Sequence, residues 1–441
     1  QIDFAIVMIS LISVLTGLFF EPLMNKRRYQ YTNESLNYQR KYDYIKRISI
    51  QAECAGELRT TNVKNVLNRM LDDAFLGLGT LVKKYYRGIT ILDSIQALFG
   101  FGIVSCITTL ISIYRIIVDQ TVTIAMFLPL MGAIAQFTWR ASSVIGCFTN
   151  ILNDNIYLNK FNEFYQYKPR IVSSREEIVD TSFSGIKIDH LYFKYNEDDH
   201  YILKDICMEI RPGQKIALVG YNGAGKSTLI HLILRLYDPN QGSIFYNGKN
   251  ICDYKIKDYR EKYGIIFQDI NVYAASIGQN IAMDTKSYSD EEMQKIMDSL
   301  HLKEKINHDK EGFNTQLTHE LSESGEMLSI GQCQCLALAR IFIHPKKQLY
   351  ILDEPTSALD PIAEEEIFET INSYLTDKTV IYISHRFSAS KIADRIYFME
   401  EGQIAEQGTH EELILQHGKY ANMFNLQAKY YRGDNNEKSI T

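Results

Sequence analysis

The chain has 441 residues and a formal net charge of −6. That length exceeds one ordinary domain, so two or more are expected, and the acidic balance argues against a nucleic-acid partner. Its seven cysteines are scattered, and the close pair Cys333 and Cys335 lacks the spacing of a zinc or redox motif, which points to reduced thiols facing the cytoplasm.

Residues 4–20 are uncharged and almost wholly apolar, near the short limit for a membrane span. Two further apolar runs, 95–113 and 122–137, set additional spans at about 93–115 and 121–138. Asp119 and Gln120 link these two, as in a tight hairpin across a bilayer. Soluble domains seldom hold three such runs near one end. Lys26, Arg27, Arg28, Arg40, Lys41, Lys46 and Arg47 follow the first span, and Lys83, Lys84 and Arg87 precede the second. Basic residues favour the cytoplasmic side, so the segment between these spans is expected there, with helices running on past the bilayer. The first span then starts outside without a signal peptide, and further spans are expected upstream of Gln1. The third helix continues toward Pro169, a natural helix end. Residues 1–170 thus read as a partial transmembrane domain and 171–185 as a polar linker, a solvated connector rather than a binding site.

Beyond the linker the patterning changes. Residues 186–188, 191–195, 202–206 and 208–210 read as strands, and Pro212-Gly213 as a loop. An apolar strand at 215–219 leads into Gly220-Tyr221-Asn222-Gly223-Ala224-Gly225-Lys226-Ser227-Thr228, and a helical run at 229–234 follows. Strand, Gly-x4-Gly-Lys-Ser loop and helix together define a phosphate-binding loop. Its glycines let the backbone wrap phosphate oxygens, with N–H groups and the positive helix end facing the anion. Lys226 is expected to reach the β- and γ-phosphates and Ser227 to hold Mg²⁺.

Residues 242–248 read as a hairpin end, 264–268 as a short strand, and 289–300 as an amphipathic helix capped by Ser289. An apolar strand then ends in Asp353 and Glu354. Asp353 suits Mg²⁺, directly or through water, and Glu354 suits a base that polarises an attacking water. A capping acid after a strand is the plainer alternative, but a phosphate-binding loop in the same chain needs such an acid. The strand 379–383 ends in Ser384-His385. A lone histidine is more often structural, but this one stands at a strand's carboxyl end, where parallel sheets bind ligands.

Tyr195, the 220–228 loop, Gln268, Leu328-Ser329-Ile330-Gly331-Gln332, Asp353-Glu354, Ser357-Ala358-Leu359-Asp360 and His385 occur in that order. With them, residues 186–430 closely resemble the nucleotide-binding domain of ATP-binding cassette (ABC) transporters of the exporter branch. The resemblance to the membrane half is looser, and residues 431–441 are a tail. It implies a multi-domain fold: an α-helical transmembrane domain followed by an α/β P-loop NTPase domain with an antiparallel β subdomain and a helical subdomain. Tyr195 matches the adenine-stacking aromatic, and Gln268 the glutamine that touches Mg²⁺ and senses the membrane domain. Ser329, Gly331 and Gln332 match the signature sequence that contacts the partner's ATP. Glu354 matches the catalytic glutamate, Asp360 belongs to the D-loop, and His385 is the switch histidine.

The family usually has glycine where Ile330 stands, and basic residues where Cys333 and Cys335 stand, so closure on ATP is expected to be weakened by the branched Ile330. Gln51-Ala52-Glu53-Cys54-Ala55-Gly56-Glu57-Leu58-Arg59 resembles an exporter's coupling helix, and Asn314-Thr315-Gln316-Leu317-Thr318-His319-Glu320 the loop that meets such helices. The chain looks like spans four to six of an exporter half plus its cassette. The resemblance implies ATP and Mg²⁺ bound between two cassettes, with a second ABC half-transporter as partner in a homo- or heterodimer. It also implies a multi-pass location in a bacterial plasma membrane, a cytoplasmic cassette, and a transported substrate. That substrate is a peptide, with lipid or drug as alternatives. A regulatory ABC membrane protein without transport is the main rival. A soluble ABC ATPase acting on DNA or ribosomes conflicts with the spans, and importer cassettes usually lie on a separate chain.

Overall fold

A computed structural model describes residues 4–51, 54–118, 123–197, 199–284, 288–300, 302, 312–322, 324–359, 361–384 and 387–432. The chain forms two compact units, Gln1–Lys168 and Pro169–Thr441. Asp119-Gln120, Ala52, Glu53, Asp360, His385 and residues 433–441 lie outside the described residues.

Among its described residues the first unit's elements are all helices: α1 (Phe4–Ile50), α2 (Ala55–Thr60), α3 (Val63–Ala97), α4 (Val104–Ile117) and α5 (Ile124–Tyr165). A π-helical segment, Leu98–Ile103, joins α3 to α4 without a break. Two glycines, Gly100 and Gly102, sit in that wide turn. Helix Val63–Ile117 is, among the described residues, the one long and apolar enough to cross a membrane, and Phe127–Phe137 is a shorter apolar stretch of α5. Leu98, Leu110, Ile113 and Ile117 are all exposed along the first of these. Water solvates such a row poorly, and hydrocarbon covers it at no cost. Away from it, α1 and α3 are joined by polar contacts. Tyr85 donates to Glu34 at 2.6 Å, and Lys84 pairs with the same carboxylate at 3.1 Å. The short helix α2 falls in the stretch expected to hold the coupling helix.

The second unit is α/β. A six-stranded sheet has the order β10-β9-β3-β8-β7-β6, from strands β3 (Lys215–Gly220), β6 (Tyr263–Ile266), β7 (Leu349–Asp353), β8 (Thr379–Ile383), β9 (Arg395–Glu400) and β10 (Gln403–Gly408). Its inner pairs, β3 with β8 and β8 with β7, are parallel. β7 and β8 are buried at every position, which is why they read as near-continuous apolar runs. A separate antiparallel sheet has the order β2-β1-β4-β5, from β1 (Ile186–Phe193), β2 (Leu203–Ile210), β4 (Gln241–Tyr246) and β5 (Lys249–Asn250). Here the pairs of fragments expected at 186–195 and 202–210 are each one strand, interrupted by register shifts. Helices Ile277–Ala282, Asp290–Ser299 and Ile330–Phe342 share a core with residues of the six-stranded sheet, in which Ile281, Met293, Ile296 and Leu336 join Tyr350 and Tyr382.

Residues 171–185 do not run free of this unit. Arg235, fully buried, donates to the Val172 carbonyl at 2.8 Å, to the Ile251 carbonyl at 3.1 Å, and to Asp238 at 3.0 Å. Lys249 meets Glu177 at 2.6 Å, and Val179 joins the core. A buried guanidinium needs every donor matched, and backbone carbonyls of the linker supply part of that match.

Candidate functional site

The phosphate-binding loop follows β3 and opens the helix Lys226–Ile233. Gly225 caps that helix with φ +98, and Gly223 has φ +80, both in the region where side chains cost energy. Gly220 is constrained by contact, since a Cβ there would lie 2.2 Å from the Met399 carbonyl oxygen of neighbouring β9. Three glycines at these positions are therefore what bring a row of backbone N–H groups and a helix end to one point.

β7 delivers Asp353 and Glu354 to the same edge of the sheet. Glu354 sits just past the strand with φ +49, its N–H held by the Ile383 carbonyl of β8 at 2.9 Å. A cleft of about 500 Å³ is lined by Asn222, Gly223, Gly225, Lys226, Ser227, Thr228, Gln268, Asp353 and Glu354, with Ile202 and Ile383. Gln268, which follows β6, reaches Glu354 through an Nε2–Oε2 contact of 3.4 Å. The Lys226 ammonium is buried and donates to the carbonyls of Gly220 at 2.7 Å and Tyr221 at 3.0 Å. A larger cleft of about 710 Å³, around Lys257, Tyr288 and His344, contains no part of this loop.

Burial and the neighbouring Glu354 push the Asp353 carboxyl up to about 6, against the pull of Lys226 and a hydrogen bond from Ser227. Burial lowers Lys226, opposed by the two carboxylates. Two acids sharing one poorly solvated wall form an oxygen donor set short of positive charge. Ser227, Asp353 and Gln268 therefore fit a hard cation such as Mg²⁺. Because the folded carboxyl sits above the 3.8 of a free one, folding takes up a proton between the two values. The ligand-free protein then loses stability from this group as pH rises through that window. Asp353→Asn is expected to stabilise the nucleotide-free chain at pH 7 by roughly 1–2 kcal/mol after allowance for solvent at the cleft mouth. A thermal-shift series should show this gain disappear near the free-acid value. A loss of equal size at both pH values would mean that Asp353 acts through packing.

Not all expected residues converge on the cleft. Tyr195 packs edge-on against Phe193 and Tyr237, at ring-centroid distances of 5.0 and 5.1 Å, and its hydroxyl lies 3.3 Å from Thr228 Oγ1. Gly220, Tyr221 and Ala224 shape the loop without lining the cleft. Ser329 caps the helix Ile330–Phe342, accepting from Gln332 N at 3.2 Å while Gln332 Oε1 accepts from Ser329 N at 2.9 Å. Ser329, Gly331 and Gln332 stand apart from the cleft of their own chain. Ile330 is 75% exposed and is no part of the core among the described residues.

One residue escaped the sequence reading. Gln334, buried, donates to Ser357 Oγ at 2.7 Å and accepts from Ala358 N at 3.1 Å. It ties the helix capped by Ser329 to the loop that follows Glu354. Its signal was an amide directly before the apolar run Cys335-Leu336-Ala337-Leu338-Ala339, where burial of the helix calls for a hydrogen-bond partner.

Residues 203–357 match the family model described as ABC transporter. The chain is 32% identical over 381 residues to the subtilin transport ATP-binding protein SpaT of Bacillus subtilis, across 85% of this chain and 61% of that one. It is 38% identical over 242 residues to a Staphylococcus aureus (strain NCTC 8325 / PS 47) protein named for multidrug export as an ATP-binding/permease protein, across 55% of this chain and 41% of that one. The chain thus spans 61% or less of the length of these curated relatives. Among solved structures it resembles a bacterial Atm1-family ABC exporter with ATP bound, with a TM-score of 0.82 and 22% identity, over 97% of this chain and 74% of that one. At that identity the likeness speaks for the fold alone.

Proposed function

The chain belongs to the ABC transporter superfamily, and on that premise we propose that it is an ATP-driven exporter half, hydrolysing ATP to move a substrate across a bacterial membrane. The observation that carries this reading is the single cleft that gathers Lys226, Ser227, Gln268, Asp353 and Glu354 around a glycine-built anion cradle. The loop amides and Lys226 hold the phosphates, and Glu354 accepts a proton from the water that attacks the γ-phosphate. Bound Mg²⁺, held by Ser227 and Asp353 with Gln268, supplies charge neutralisation on the phosphate oxygens. His385 is assigned to the γ-phosphate, and Tyr195 to adenine.

Ser329, Gly331 and Gln332 lie away from their own chain's cleft, and this supports a partner cassette that presents them to the second ATP. The partner is a second ABC half, identical or not, and Asp360 belongs to the same interface. The unit 1–168 is assigned to a multi-pass arrangement in the bilayer, with the cassette on the cytoplasmic side. A peptide is the favoured cargo, because the Bacillus subtilis relative is named for subtilin transport. The paired protein in proteoliposomes, supplied with ATP and labelled subtilin, tests this reading. ATP-dependent peptide accumulation supports it. Hydrolysis without movement of peptide, drug or lipid would favour a regulatory ATP-binding membrane protein instead.

Ile330 bears on the same interface. Its side chain is 75% exposed, so Ile330→Gly is expected to cost the fold less than about 1 kcal/mol. It should raise the ATPase rate and tighten ATP-driven dimerisation by removing a branched group beside the amides that face a partner's phosphate. Unchanged rate and unchanged dimerisation would show that the residue is neutral there.

A further inference from the structure

The antiparallel sheet carries a cluster that nucleotide chemistry does not use. On β1 and its neighbour β2, the strand at the sheet's edge, the register shifts twice, once between Ile188 and Leu191 and again between Leu191 and Phe193. Each shift places a non-glycine residue in the left-handed region, His190 with φ +46 and Asp205 with φ +55. Ordinary alternation would leave these side chains to point independently. The two bulges instead turn His190 and Asp205 toward Cys207. His190 Nδ1 lies 2.6 Å from Asp205 Oδ1 and 3.6 Å from Cys207 Sγ. All three ligand atoms lie within 4.8 Å of one another, and all three residues are exposed, so an ion could reach them from water.

We propose that His190, Asp205 and Cys207 form a binding site for a zinc-class divalent cation that clamps β1 to β2. The donor set is one imidazole nitrogen, one carboxylate oxygen and one sulfur, a combination that suits Zn²⁺ and not Mg²⁺ or Ca²⁺. A thiolate and a carboxylate also balance the ion's two charges. Zinc–nitrogen and zinc–sulfur bonds of about 2.05 and 2.3 Å at a tetrahedral angle separate the two ligand atoms by roughly 3.6 Å, which is the observed His190–Cys207 spacing. The Asp205 oxygen is closer to the imidazole than such an ion requires, and rotating its exposed carboxylate away by somewhat under an ångström opens the position. The His190 backbone N–H already points at Cys207 Sγ from 3.4 Å. That is the kind of outer contact that stabilises a metal-bound thiolate. Three protein ligands leave a fourth position for water. The clamp sits at the base of the 194–202 connection, which carries Tyr195.

The test uses the full chain, free of affinity tags, in nanodiscs with excess Mg²⁺ and no nucleotide, titrated with Co²⁺ and then Zn²⁺. Wild type is expected to bind one Co²⁺ with a thiolate-to-metal charge-transfer band that Zn²⁺ abolishes. Cys207→Ser is expected to lose that band, and Cys54→Ser to keep it. His190→Ala removes a direct ligand and is expected to weaken Zn²⁺ binding by more than the roughly 10–100-fold that loss of an outer-shell partner brings. Hydrogen exchange in β1 and β2 should slow on adding Zn²⁺ to wild type and stay unchanged in His190→Ala. Retained ATP binding in each variant establishes that it is folded. A band that survives in Cys207→Ser, equal Zn²⁺ affinity in wild type and His190→Ala, or no binding in wild type would each overturn the site and leave a surface ion pair.

Discussion

Glu354→Gln is expected to lower ATP turnover by about 10²–10⁴-fold, the range that a positioned general base contributes, while leaving ATP binding intact. The side chain lines the cleft, and its backbone N–H is held by the Ile383 carbonyl at a φ of +49. Glutamine has the same shape and can still accept from Gln268, so the change removes a base and leaves a scaffold. It also removes one of the causes that hold Asp353 near 6, leaving burial and the weaker influence of Asp269. Asp353 should therefore become more acidic, and Mg²⁺–nucleotide binding at mildly acidic pH should tighten relative to wild type. Single-turnover hydrolysis and equilibrium nucleotide binding, measured on the same preparation, separate the two effects. Turnover within tenfold of wild type would remove Glu354 from the chemistry. Loss of binding together with turnover would mean that the residue acts through the shape of the loop.

The cleft was legible in the sequence because its parts are local. Gly220 to Thr228 is one uninterrupted run between a strand and a helix, and Asp353-Glu354 closes an apolar strand. Each carries its own context, and the sheet order then sets them at one edge. Gln334 and Arg235 were not legible, because their partners, Ser357 and the Val172 carbonyl, are 23 and 63 residues away. No periodicity records a contact of that kind. The two bulges of β1 and β2 were hidden for a related reason. The sequence pattern breaks at 189–190 and again at Cys207, so a reader sees pairs of short strands where the structure has one strand each, joined through shifts of register. The first unit was legible as helices, since apolar runs and basic flanks are local. Which of those helices lie against which depends on neighbours that periodicity does not name.

Gly220→Ala is expected to abolish nucleotide binding and to destabilise the chain by more than about 3 kcal/mol, the upper end of what overpacking costs a well-packed interior. Gly223→Ala is expected to cost about 1–2 kcal/mol, the penalty for a side chain in the left-handed region. The two glycines belong to one loop, and sequence alone treats them alike. The structure separates them. A Cβ on Gly220 would lie 2.2 Å from the Met399 carbonyl oxygen and 3.1 Å from its carbon, which is backbone of a buried strand and cannot swing aside. A Cβ on Gly223 would meet nothing within 4 Å, so its cost is conformational only. Relieving the Gly220 clash means pulling β3 away from β9, with which Gly220 is paired in register at Met399. That displacement moves the root of the whole loop, including the carbonyl that holds Lys226. Thermal unfolding of the two variants without nucleotide gives the comparison, because it does not depend on the assigned activity. At roughly 2–4 °C per kcal/mol for a unit of this size, Gly220→Ala should lower the midpoint by about 6 °C or more and Gly223→Ala by about half that. Equal losses would show that the conformation of the loop, and not its contact with β9, is what glycine provides at position 220.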